Sequence, residues 1–255
     1  MDLHHLSDPA LRLHTAAQRL RHEPGDEWFD WLEAQGLALW APPQHRRASA
    51  LAVVRALILE PPEAVAWPTL YEAARARGRL DLAEIFRLPE GPGDTLARPL
   101  LDRELLEQGV GRRVALARRA PINMMERLVL DHEPRVIEAL LESPRIRTQE
   151  VLRVTTRRPL PTAIARTVLC SDRWSAEYPV VRSLARNETL VDRWGSALTL
   201  LLTPRDLAEV AADPKATLAR RRIARFRHLA SRGAPQATPV DDIPVISLDP
   251  LPADD

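Results

Sequence analysis

A single cysteine, Cys170, leaves this chain without an internal disulfide or a cysteine-based zinc site. Nine glycines in 255 residues provide little material for phosphate-cradling loops, and neither G-x-G-x-x-G nor a Walker A motif occurs. G-x-S-x-G and H-E-x-x-H are missing too, so neither a nucleophile elbow nor a metalloprotease helix is encoded. No apolar run approaches the ~18 residues a membrane-spanning helix needs. The first 14 residues carry Asp2 and Asp8 and lack an apolar core, so no secretory signal is expected there. A cytoplasmic protein with no membrane partner is the resulting expectation. The histidines His4, His5, His14, His22, His45, His132 and His228 are scattered without ligand spacing. No catalytic residue, cofactor or metal is therefore assigned. Cys170 ends the apolar stretch 163–170 and is expected to be buried.

Proline is plentiful, at 23 residues, and Pro9, Pro68, Pro121, Pro134, Pro161, Pro204 and Pro214 stand where helices are predicted to begin. There the missing N–H is an orphan donor in any case. Of the 36 basic residues only Lys215 is a lysine. The charge is segregated: −5 over residues 1–108, +11 over 109–232 and −5 over 233–255, giving +1 for the whole. A basic stretch thus lies between two acidic ones, and such a field attracts anionic partners.

Between Gly109 and Gly233 a phrase recurs: a proline or capping residue, about ten helix formers, then a break. Its openers are Val110, Pro121, Pro134, Thr148, Pro161, Ser175, Thr189, Pro204 and Pro214. The spacing predicts helix pairs 112–119 with 122–131, 134–142 with 148–157, 161–170 with 175–186, and 189–202 with 204–212. A longer basic helix over 214–232 closes the series. Asn187 is expected to end its helix in the left-handed region, and Thr203 with Asp206 forms a capping box around Pro204. Helices this short are marginal alone, so each must bury its apolar stripe on its neighbours. Stacked in order, they make an α-solenoid.

The first hundred residues read as helices over 9–20, 26–35, 48–59, 68–77 and 81–88, without the later rhythm. This gives an all-α chain with an N-terminal helical cap domain at 1–93 and a helical repeat array at 94–233. A disordered acidic, Pro-rich tail is expected at 234–255, and PEGPG at 89–93 is the linker. Trp28, Phe29 and Trp31 diverge by about 100° per residue on one helix, so at least one is expected to be partly exposed.

The Pro/Asn breaks and Leu/Val/Ala stripes of 109–232 resemble those of the HEAT-like and leucine-rich-repeat-variant families of helical repeats. Bacterial helical proteins of this build are similar as well. That resemblance implies an α-solenoid of short antiparallel helix pairs that acts by binding. Some variant-repeat proteins carry a cysteine-bound iron–sulfur cluster, which a chain with Cys170 alone cannot hold. HEAT-like DNA glycosylases set aromatics and a carboxylate against DNA, and the resemblance implies Asp172, Trp174 and Trp194 as the matching set.

The expected function is a non-enzymatic protein- or peptide-binding scaffold using an Arg-rich surface. Its candidate residues are Arg112, Arg118, Arg157, Arg158, Trp174, Trp194, Arg221, Arg222 and Arg225. The partner is a protein or peptide of acidic character, or the chain's own acidic tail. Nucleic-acid binding, as in base-excision repair, is the alternative, because Arg suits bidentate phosphate contacts. Against both stands the plain reading of arginines as solvated side chains at helix ends.

Overall fold

The computed structural model describes residues 2–23, 25–37, 46–88 and 103–232. The linker expected at 89–93 and the tail at 234–255 lie outside them. Among the described residues all regular structure is helical, with no strand. The first stretch holds α1 (Pro9–His22), α2 (Gly25–Ala34), α3 (Arg47–Leu59), α4 (Trp67–Ala76) and α5 (Leu80–Arg87). There follow α6 (Arg103–Leu106), α7 (Val110–Arg119), α8 (Ile122–Leu128), α9 (Pro134–Leu141), α10 (Thr148–Thr155) and α11 (Thr162–Cys170). The last five are α12 (Asp172–Ala176), α13 (Tyr178–Ala185), α14 (Asp192–Thr199), α15 (Pro204–Ala212) and α16 (Leu218–Ser231). None of the described helices is long and apolar enough to cross a membrane.

Local chemistry accounts for most boundaries. Asp8 opens α1 by accepting from the Ala10 N–H, and Thr203 does the same for Asp206 at α15. Gly36 and Gly78 follow α2 and α4 with φ of 65° and 67°, the left-handed conformation that glycine adopts without strain. The helix expected over 175–186 is divided: Ser171 caps α12 through the Trp174 N–H, Glu177 interrupts, and α13 restarts with Pro179 in its first turn. α14 begins at Asp192 rather than Thr189, and α16 at Leu218 rather than Pro214, capped by Thr217. Asn187 does not adopt positive φ. It has other work, described below.

The chain divides into two compact units, residues 1–91 with 192–255 and residues 92–191. In the first, α1 packs on α3, α2 on α4, α4 on α5 and α15 on α16. The helices that the repeat spacing assigns to the array's end belong here: α16 also packs on α5 and α14, and α14 on α3. Trp28, Phe29 and Trp31 are all buried, so the exposure expected of one of them is not found. The reason is coverage from several sides. Phe86 of α5 meets Trp28 and Phe29 edge-on at 5.9 and 6.5 Å. Meanwhile α4 approaches α2 so closely that a Cβ on Gly25 would stand 2.7 Å from the Thr69 carbonyl oxygen.

In the second unit neighbouring helices meet in order. α7 packs on α8 and α9, α9 on α11, α10 on α13, and α12 on both α11 and α13. The core is aliphatic: Val136, Ile137 and Leu140 of α9 are wholly buried, as are Val151, Val154, Ile164, Val168, Val180 and Leu184. Each such side chain contributes roughly 1.5–3 kcal/mol, which is what holds eight-residue helices that would not persist alone.

Candidate functional site

The nine residues expected to bind a partner fall into both units and differ in exposure. In the second unit Arg112 and Arg118 are exposed on α7, and neither makes an ion pair among the described residues. Arg158 is exposed and held by Glu188 at 2.7 Å. Arg157 is buried, and so is Trp174, whose indole N–H donates to the Leu141 carbonyl at 2.9 Å. In the first unit Trp194 is buried as well. Neither indole offers a face on which a base would stack. Arg221 donates to the Ala211 carbonyl, Arg222 stands 3.7 Å from Glu84, and Arg225 is half-buried. Most of these arginines are thus engaged by their own chain.

Two concave features of the second unit lie on either side of α9. One cleft of about 460 Å³ runs between α7 and α9, floored by Val110, Val114 and Ala139. A second of the same volume runs between α9 and α11, floored by Leu141, Ala163 and Cys170. Cys170, expected to be buried, is exposed: it is the last residue of α11 and faces the cleft instead of the core. Glu138 and Glu142 line both clefts. They are exposed, one helical turn apart, and make no ion pair among the described residues. Arg118 and Arg135 border the first cleft and Arg166 the second.

Within this unit polar side chains tie helix ends together, some of them reaching back to the preceding pair. Arg113 of α7 holds Asp131 at 2.8 Å, and Asp131 also accepts from the Glu133 N–H that opens α9. Arg157 donates to the Asp131 carbonyl at 2.7 Å across 26 residues. Asn187 donates to the Thr155 and Arg157 carbonyls, both at 2.9 Å, across 32 and 30 residues. Carbonyls at or just beyond the ends of α8 and α10, where intrahelical partners run out, are thus satisfied from the next pair. Arg157 also meets His132 Nε2 at 3.0 Å. A guanidinium only donates, so that nitrogen accepts and the imidazole is neutral. Burial, then Arg157, hold the His132 pKa below its ordinary value, against the opposing Asp131.

The first unit buries several ion pairs. Asp81 is fully buried between Arg79 and Arg227, each at 3.1 Å. Burial opposes its charge, but the two guanidiniums outweigh this and keep the carboxyl below its usual range. Arg220 is buried against Asp192 at 3.1 Å and occupies the space over Gly195, where a Cβ would collide with the guanidinium. Near the chain start, ligand atoms of Asp2, His4 and His5 lie within 4.8 Å of one another. Asp2 is engaged there in hydrogen bonds to His4 that cap a 3-10 turn.

The sequence reading missed Glu138, Glu142 and the tie residues Arg113, Asp131 and Asn187. The ties had a signal: Asp131 and Arg157 end predicted helices and Asn187 directly follows one, at intervals of 26 and 30 residues. Comparisons of the chain with protein-family models, curated proteins and solved structures find no match.

Proposed function

We propose that the chain is a non-enzymatic helical-repeat scaffold that binds a protein or peptide. In this reading the second unit stacks antiparallel helix pairs in the manner of an α-solenoid, and the clefts beside α9 are its binding surface. The observation that carries it is the pair of equal clefts flanking one helix, with apolar floors and charged rims. Protein-binding sites combine such features, an apolar centre for affinity and a polar rim for register. The ties between helix ends support the reading further, because a surface carried on tied helices is pre-organised and loses little entropy on binding.

Panning a random-peptide phage library on the full chain tests this. Enriched peptides should lose binding to an Ala163→Trp variant, whose indole fills the α9–α11 cleft from an exposed position. Peptides that bind this variant as well as the parent would place recognition elsewhere.

A nucleic-acid reading rests on α7, where Arg112, Arg118 and Arg119 are exposed and carry no ion pair among the described residues. It predicts that a short DNA duplex binds with a steep negative salt slope. No duplex binding at low salt would remove it.

A further inference from the structure

We infer that the clefts beside α9 take an extended peptide with a basic side chain at its centre and an acidic one beside it. This rests on the scaffold reading above and names the chemistry of its partner. Glu138 and Glu142 form the ridge shared by both clefts, so a chain crossing α9 passes directly over them.

A pair of adjacent carboxylates with no cation is the argument. Other exposed glutamates of this unit are answered: Glu104 by Arg127 at 2.7 Å, Glu107 by Arg103 at 2.9 Å and Glu126 by Arg153 at 2.9 Å. Glu177 makes no ion pair among the described residues either, but it is a single charge at the start of α13, where the helix dipole favours it. Residues 92–191 hold 17 basic and 13 acidic residues, so cations are available in surplus. Yet Glu138 and Glu142, four residues apart on one helix, stand unanswered among the described residues. Like charges at this spacing repel. A lysine or arginine from a partner removes that repulsion and gains two charge-assisted hydrogen bonds.

The rims decide what flanks the basic residue. Arg118 lines the α7–α9 cleft with no ion pair among the described residues, while Arg135 is held by Glu133 at 2.8 Å. Arg118 therefore attracts a carboxylate on the α7 side. A uniformly basic segment meets repulsion there, and a uniformly acidic one meets it at the ridge. The alternating pattern is selected by both attraction and repulsion.

Cys170 supplies a local readout. It is the chain's single thiol and lines the α9–α11 cleft, so its alkylation by N-ethylmaleimide reports occupancy of that cleft alone. The test uses peptides enriched from the phage library on the full chain, resynthesised with a fluorophore. The expected peptides carry Lys or Arg with a neighbouring Asp or Glu, and they slow Cys170 alkylation. A Glu138→Gln/Glu142→Gln variant, checked for native helicity by circular dichroism, should bind them about tenfold more weakly. The charge-reversed Glu142→Arg variant should shift enrichment toward peptides with an acidic centre. Equal affinity for the double-glutamine variant, or enrichment of uniformly charged peptides, overturns this inference and leaves the scaffold reading standing. Absence of any enriched peptide overturns the scaffold reading and this inference with it.

Discussion

The two units satisfy their buried polar groups from different sources. In the first, charge meets charge across long stretches of chain: Arg227 of α16 reaches Asp81 of α5 over 146 residues. In the second, one buried ion pair, Arg113 with Asp131, is joined by side chains that reach the backbone of the preceding helix pair, as Arg157 and Asn187 do over 26 to 32 residues. The cores differ in the same sense. Trp28, Phe29, Trp67 and Phe86 make an aromatic cluster in the first unit, whereas the second is built mainly of Val, Ile, Leu and Ala, with Trp174 and Met125 among them. One unit is closed by remote elements and the other built up by sequential ones. A failure in the first should therefore spread, while a failure in the second should remain near its origin.

Asp81 offers the largest effect. Asp81→Asn leaves Arg227 and Arg79 buried beside a neutral amide, and removing one partner of a buried pair costs about 3–5 kcal/mol. Urea denaturation of the variant should show that loss across the whole first unit. A double change, Asp81→Leu with Arg227→Met, should recover much of it, because no lone charge then remains. A loss below ~1 kcal/mol for Asp81→Asn would show that the pair does not hold the unit closed. The pH dependence has a fixed sign. With its folded pKa below the unfolded value, Asp81 lends stability that is complete above the unfolded carboxyl's ~3.9 and is lost as pH falls through the folded pKa.

Asn187→Ala should rank second, at about 2 kcal/mol, since it strips donors from two buried carbonyls and the acceptor of the Thr189 N–H. Its distinguishing feature is locality. Hydrogen exchange should quicken at the end of α10 and the start of the loop after α13, with α7 and α9 little changed. Equal acceleration along the entire second unit would erase the contrast between sequential and closed construction.

His132 gives a smaller, pH-dependent effect. Its folded pKa lies below the unfolded value, so the unfolded chain takes up the proton first. Its contribution is therefore complete above ~6.5 and declines as pH falls from there toward the folded pKa. Protonation would also convert the acceptor of the Arg157 contact into a second cation. His132→Gln should flatten the fall in urea midpoint between neutral and mildly acidic buffer. An unchanged slope would assign it to other groups.

Much of the helical structure was legible beforehand, though not its division into these two units, and the illegible part has a physical cause. Helices announce themselves locally, through Pro at their first turns, caps such as Thr203, and glycines such as Gly36 and Gly78 beyond their ends. All five helices of the first hundred residues therefore stand within a few residues of their expected places. Burial is a matter of partners, which local signals do not carry. Trp28, Phe29 and Trp31 look like a surplus of apolar surface on one helix until α4 and α5 cover them. Cys170 looks like a core residue because it follows Val168 and Leu169, yet at the end of α11 it points into a cleft. The arginine-rich segment suggested a binding track, but charge counts cannot tell which arginines are taken by Asp131, Glu188 or Glu84. The same blindness hid Glu138 and Glu142, which matter for the partners they lack.

That last pair supports the smallest and most discriminating prediction. A residue kept for stability weakens the fold when neutralised, whereas a residue kept for binding at the expense of stability strengthens it. Glu142→Gln removes an i,i+4 repulsion with Glu138 without breaking an ion pair among the described residues. It should stabilise the second unit by roughly 0.2–0.5 kcal/mol, a rise in melting temperature of about 1 °C. The matched control is Glu126→Gln, which breaks an exposed pair with Arg153 and should move stability slightly the other way. Opposite signs from two exposed glutamates of one unit would separate the binding ridge from the supporting surface around it. A loss of stability in both would mean that Glu142 belongs to the support, and that the clefts beside α9 are not shaped for a cation.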